Sequence, residues 1–147
     1  MEMTVMTKGG GVDMLLMTKK EMMELRPGEE LDELVAVRVM GFMAMMESQK
    51  MVVDGEEKEV FWMDAEGTPS LIPPYSQDMG EAWKVVEKLS EEGWKIQMRQ
   101  VGDGFLVQLQ RREEFGTEQV EVHGEFPRVF TAPEAIVKCA LLAKSSG

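Results

Sequence analysis

The sequence predicts a single α+β domain, arranged as a three-layer α-β-α sandwich around a mostly antiparallel sheet. The first observation behind this prediction is a one-sided helix that begins near Ser76 and ends at Gly93. The second is a pair of alternating segments, 94–101 and 105–111, that follow this helix at once. Helices elsewhere in the chain can cover the two faces of such a sheet. A length of 147 residues fits one domain.

The N-terminal part of the chain changes character at Met17. Residues 1–16 contain a Gly9-Gly10-Gly11 run and show no sustained hydrophobic period, which favours a flexible N-terminal extension. The folded domain is therefore expected to occupy residues 17–147.

Two helices are predicted at the start of this domain. Thr18 can cap a short helix, and Glu21, three residues later, completes a capping box with it. Apolar residues then recur at helical spacing from Leu31 to Met40, and Gly41 should end this second helix.

The segment after Gly41 has no clear period until residue 60. Asp54-Gly55 is typical of a turn and should join two extended pieces, 51–53 and 60–63. Glycine and proline breaks make 64–74 a loop.

The central helix follows this loop. Ser76 can accept hydrogen bonds from the amides of its first turn, and Asp78 places a carboxylate where the helix dipole is positive. The stripe expected to face the core consists of Met79, Ala82, Trp83, Val86 and Leu89.

The alternating segments after Gly93 predict a β-hairpin with one buried and one more polar face. A third strand is expected at 119–123, where Val120 and Val122 alternate with polar residues. From this order of elements we expect a mostly antiparallel sheet with helices against it, because two sheet faces need cover and three helices are available.

The last helix is predicted over residues 135–143. Thr131 and Glu134 form a capping box pattern before it, with Pro133 in the first turn. The helix is apolar on most of its circumference, so Cys139 within it should be buried as a small hydrophobic residue.

Charge and composition limit the classes of partner. Sixteen basic and 27 acidic side chains give a net charge of −11, which repels nucleic acid phosphates and anionic lipid. Mimicry of DNA by an acidic surface is less favoured, because basic residues are interspersed with the acidic ones. A single cysteine and the lack of a long apolar run indicate a cytoplasmic protein, with no partner among nucleic acids or membranes.

Several motifs together resemble the phage ABA sandwich domain family. They are MTKKE at 17–21, LRPGEELDELV at 25–35, VMGF at 39–42, PPYSQD at 73–78, AW at 82–83 and APEAIVKCALL at 132–142. The resemblance implies a phage or prophage protein with an α-β-α sandwich fold. It implies no activity and no functional residues, because the family is defined without them.

No catalytic, metal or cofactor site is predicted. His123 is the sole histidine, and no serine or cysteine is placed by the sequence to work with it. The carboxylates at Glu29, Glu30, Asp32 and Glu33 complement a helix dipole and lack the spacing of a calcium loop. The protein is therefore expected not to be an enzyme.

One corner of the chain is a candidate ligand site. Pro73 and Pro74 stiffen the entry to the central helix and hold Tyr75 and Ser76 in a fixed relation, and a helix start can bind an anion. Arg99 on the hairpin could face a phosphate-bearing ligand. The alternative is that these residues maintain the fold.

Two functions follow. The first is a non-catalytic phage or prophage accessory protein that binds a host or phage protein, or itself as a homo-oligomer, through the methionine-rich and aromatic segment 42–63. The alternative is a small-ligand binder, such as a phage protein that sequesters a nucleotide immune signal of its host.

Overall fold

A computed structural model describes residues 18–124 and 128–145. The expected extension, 1–16, lies outside the described residues. Within them the elements are α1 (Lys19–Glu24), α2 (Glu29–Arg38), β1 (Met43–Val53), β2 (Glu56–Met63), α3 (Met79–Glu91), β3 (Lys95–Val101), β4 (Gly104–Glu113), β5 (Gly116–His123) and α4 (Ala132–Ser145). In these two ranges, no helix has both the length and the apolarity that crossing a membrane requires.

The first two helices form as predicted. In the capping box of α1, Glu21 N donates to Thr18 Oγ1 at 3.1 Å, and Thr18 N donates to the Glu21 carboxylate at 3.3 Å. Helix α2 begins two residues before the predicted start and ends at Arg38. Gly41 follows with a φ of 82°, a conformation that glycine adopts at little cost and that turns the chain towards β1.

The β1–β2 hairpin is longer than predicted. Asp54 and Gly55 form its turn with φ values of 53° and 81°, as an Asp-Gly pair in a tight hairpin turn requires. Ala44 pairs with Trp62 and Gln49 pairs with Val60, so residues 45–48 bulge opposite Phe61 alone. This four-residue bulge breaks the alternation of inward and outward residues, which explains why the sequence has no clear period there.

The second sheet has the order β3-β4-β5, and all its pairs are antiparallel. Val107 and Leu109 of β4 and Val122 of β5 face the core, as the alternation predicted. The predicted α+β fold and its antiparallel pairing are thus confirmed, with the strands divided between a two-stranded and a three-stranded sheet.

Helix α4 is the centre of the packing. It contacts β4 and β5 as well as α1, α2 and α3. Every residue from Glu134 to Ala143 is buried, which agrees with the apolar circumference expected for it, and Cys139 is buried as predicted. The three-stranded sheet and the other helices are therefore connected through α4.

Two details of α3 differ from the prediction. Asp78 caps the helix by accepting from Glu81 N at 2.9 Å, whereas Ser76 lies before the helix and takes no part in the cap. Trp83 and Met79 were expected in the core but are exposed, Trp83 by 44%. The buried stripe consists of Ala82, Val85, Val86 and Leu89. Trp83 lies roughly 100° around the helix from Ala82 and so falls on the flank of this stripe.

A buried charge cluster joins α4 to the end of α1. Lys138 is fully buried, and its Nζ donates to the carbonyl oxygens of Met23 at 2.7 Å and Leu25 at 2.6 Å and to Glu134 Oε2 at 2.7 Å. Arg128 also donates to Glu134. Burial lowers the pKa of Lys138, while the hydrogen bond to Glu134 and its charge oppose this shift.

The capping box predicted for α4 is only half formed. Glu134 N donates to Thr131 Oγ1 at 3.4 Å, but the Glu134 carboxylate binds Lys138 and Arg128 rather than the Thr131 amide. The prediction was wrong for this side chain because a buried ammonium binds a carboxylate more strongly than an exposed amide does.

The substitution Lys138→Met should lower the free energy of unfolding by about 3 kcal/mol, because two carbonyls and a carboxylate lose a buried cation. Lys144→Met on the same helix is the matched control. Lys144 pairs with Glu92 in a partly exposed ion pair, so its loss should cost less than about 1 kcal/mol. Urea denaturation followed by circular dichroism measures both, and equal losses would contradict a central role for Lys138.

Candidate functional site

The corner formed by Tyr75 and Ser76 is buried against α2. Ser76 Oγ accepts from Gly28 N at 3.0 Å, and Ser76 N donates to Asp32 Oδ1 at 2.6 Å. Gln77 Nε2 donates to the other oxygen of Asp32 at 3.0 Å. Burial raises the pKa of the Tyr75 phenol to about 12, with smaller contributions from nearby carboxylates. The amide and the hydroxyl of Ser76 are thus engaged by the protein itself.

Arg99 lies apart from this corner. It is exposed on β3 and pairs in register with Leu106, on the face of the sheet opposite to Met98 and Val107. Because Tyr75 and Ser76 face the core and Arg99 faces solvent, the three side chains do not converge.

The two reactive residue types singled out in the sequence also lie apart. His123 is exposed at the end of β5, with Nδ1 3.4 Å from the carbonyl oxygen of Gly124. Cys139 Sγ donates to the carbonyl oxygens of Val107 and Val120 inside the core. Burial raises the pKa of the Cys139 thiol to about 12, so this sulfur stays protonated near neutral pH.

An acidic cleft lies beside the Tyr75–Ser76 corner. It has a volume of about 330 Å³ and is formed by the first turns of α2, by β2 and by the loop at 70–72. Its acidic lining residues are Glu29, Asp32, Glu33 and Glu59. Its apolar lining residues are Phe61, Trp62, Leu71 and Ile72. The lining residues, all of them described by the structure, include no lysine or arginine.

Sequence reasoning missed this acidic cleft. It assigned Glu29, Asp32 and Glu33 to the helix dipole and did not connect them with β2. One signal was available, since Glu29 and Glu33 are four residues apart and so lie on one face of the helix. The contribution of Glu59 and Phe61 depends on the tertiary fold.

Glu33 is electrostatically unusual within the cleft. Its pKa is raised from 4.5 to about 7, first by burial and then by the charges of Glu29 and Glu30. Both oxygens of the neighbouring Asp32 accept hydrogen bonds from the 76–77 turn. Near neutral pH, the Glu33 side chain is therefore present in both its protonated and its charged form.

The β1–β2 hairpin extends from the same region. Val60 and Trp62 anchor it in the core, whereas Met43, Met46 and Val52 are exposed, Met46 completely. Register and alternation place Met43 and Val52 on the hairpin face opposite to Val60 and Trp62. The bulge that carries Met46 is fixed by Ser48 Oγ, which donates to Glu59 Oε1 at 2.6 Å. Since Glu59 also lines the acidic cleft, hairpin and cleft are adjacent.

Glu33→Gln should make the protein more stable at pH 8. The folded state holds the Glu33 proton up to about pH 7, whereas the unfolded state releases it near pH 4.5. The free energy of unfolding of the unmodified protein should therefore fall as pH rises between these values. The substitution removes this loss of stability. The gain should be only about 1 kcal/mol at pH 8, because solvent reaches the carboxylate and screens its charge.

Denaturation at pH 4.5 and pH 8 measures this change. Glu87→Gln, at an exposed position on α3, is the control for the loss of one negative charge. A pH dependence that is the same in the unmodified protein and in the Glu33→Gln variant would contradict the assignment.

Comparisons with known proteins identify the family. A solved structure that resembles this chain is the 2.0 Å crystal structure of a phage protein from Bacillus cereus ATCC 14579. The two are 22% identical, the match covers 89% of this chain and 90% of the other, and the TM-score is 0.44. No curated protein sequence matches the chain. The family model named phage ABA sandwich domain matches residues 33–141, which confirms the resemblance drawn from the sequence. The chain belongs to the phage ABA sandwich domain family.

Proposed function

We propose that this phage-family protein is a non-catalytic accessory protein that acts in the cytoplasm of the bacterial host as a protein-interaction module. Its contact surface is the β1–β2 hairpin, and its partner is a host or phage protein or a second copy of the chain. The observation that carries this proposal is the exposure of Met43, Met46 and Val52 on one projecting hairpin.

The geometry of the hairpin favours contact with a protein. Exposed apolar side chains along one hairpin lose unfavourable hydration when a partner covers them. Methionine is flexible and polarisable, so it adapts to partner surfaces of different shape. The two-stranded sheet also has two edges; the end of the β2 edge is already paired with residues 69–70, and a further strand can pair along β1. The bulge at 45–48 directs Met46 fully into solvent, where a partner can reach it.

A nucleotide is a less suitable ligand for this surface. The Ser76 amide, which was the expected anion donor, already binds Asp32. Carboxylates line the neighbouring cleft and would repel phosphate groups, most strongly where burial limits screening. These contacts favour the interaction module over the nucleotide binder.

A photo-crosslinking amino acid in place of Met46 should give a discrete adduct in host cells during phage growth, because Met46 lies on the proposed contact surface. Phe115 is the matched control, since it is equally apolar and 95% exposed but lies between β4 and β5. Mass spectrometry of the adducts identifies the partner. If position 46 yields no adduct beyond those at position 115, the hairpin is not the contact surface.

Sedimentation velocity tests whether the partner is a second copy. Under the homo-oligomer hypothesis, the variant Met43→Ser, Met46→Ser, Val52→Thr should sediment as a monomer at concentrations where the unmodified protein associates. The control changes three exposed apolar residues of the other sheet region, Met98→Ser, Val101→Thr and Phe115→Ser, and should associate normally. A monomeric unmodified protein at every concentration would exclude self-association.

A further inference from the structure

We propose that the acidic cleft at the base of the hairpin binds the guanidinium group of an arginine presented by the partner protein. This inference rests on the proposed function, because it takes the cation to belong to a protein that also contacts the hairpin. It adds the chemistry by which the partner is recognised.

The shape of the acidic cleft suits a long cationic side chain. A volume of about 330 Å³ accommodates a group much larger than a single ion. Leu71 and Ile72 offer apolar surface to the methylene stem of an arginine. Phe61 and Trp62 add aromatic surface, against which a planar guanidinium packs better than an ammonium does.

Two carboxylates of the cleft, those of Glu29 and Glu33, have no cationic partner in the described part of the chain. Glu29 and Glu33 form no hydrogen bond or ion pair with their side chains among the described residues. Lys50 pairs in register with Glu59 across the hairpin, and its Nζ lies 3.7 Å from Glu57. Because Glu29 and Glu33 repel each other, a bound cation would relieve this repulsion as well as gain its own attraction.

The carboxylates of the cleft do not have equal roles. Both oxygens of Asp32 accept hydrogen bonds from the 76–77 turn, so Asp32 lines the cleft without contacting the cation. Glu59 Oε1 accepts from Ser48, and Lys50 is its neighbour across the hairpin, while Oε2 forms no hydrogen bond in the described part of the chain. Glu33 from α2 and Glu59 from β2 can therefore bind a guanidinium from two elements, and bidentate carboxylate contacts are the strong form of this interaction. In the described ranges, no three acidic, histidine or cysteine side chains form a set that could hold a metal ion, so an organic cation is the better ligand class.

The test uses N-acetyl-arginine methylamide as the probe and N-acetyl-citrulline methylamide as its neutral isostere. Titration of isotope-labelled protein at pH 8 and low salt, followed by NMR, should show saturable shifts of the Trp62 indole and the Ile72 methyl groups with arginine only. Shifts that are absent, equal for the two probes, or spread over the acidic surface would overturn the inference.

Paired variants separate the cleft from general acidity. Glu33→Gln with Glu59→Gln should weaken arginine binding about tenfold, because the two charge-assisted contacts are lost. Glu87→Gln with Glu91→Gln removes the same charge from the exposed face of α3 and should change affinity less than about twofold. Equal weakening by the two pairs would contradict a specific site.

The result of the probe titration can be distinguished from a test of the proposed function. The probe is a small molecule, so the cleft can bind it whether or not position 46 crosslinks to a protein. Conversely, adducts at position 46 without probe binding would support the hairpin surface and refute the arginine site.

Discussion

The fold depends on the buried ammonium of Lys138. An ammonium group has three hydrogens, and burying it is costly unless each one finds an acceptor. Here all three are used, by the carbonyl oxygens of Met23 and Leu25 and by Glu134. These acceptors lie at the end of α1 and on α4, so satisfying one charge fixes the first helix against the central one.

This constraint extends to the candidate site. The chain leaves Leu25 and enters α2 at Glu29, so anchoring Leu25 limits where the first turns of α2 can lie. Those turns place Asp32 against Ser76, which fixes the loop before α3. They also place Glu33 at the wall of the acidic cleft. Lys138, more than a hundred positions beyond the first turns of α2, thus helps to fix the α2 wall of the cleft.

The sequence predicted the local structure well and the tertiary assignments less well. The box at Thr18, the Asp-Gly turn and the alternation in β4 depend on neighbouring residues, and each was confirmed. Trp83 was misplaced because its spacing of four from Met79 and three from Val86 fits a helical stripe, whereas the stripe that α3 buries lies to one side of it. The first strand was obscured because its bulge disrupts the period of two on which strand prediction relies.

The cleft could not be predicted for a related reason. Its walls come from three segments, around residues 29–33, 59–62 and 70–72, and no local pattern states that they meet. The acidic start of α2 had a sufficient local explanation in the helix dipole. That explanation accounts for carboxylates in the first turn, but it gives no reason to keep Glu33 partly buried beside Glu29 and Glu30, where its charge is disfavoured. The proposed cationic partner would supply such a reason, because the net charge of −11 would attract it from a distance and the cleft would then select it by geometry.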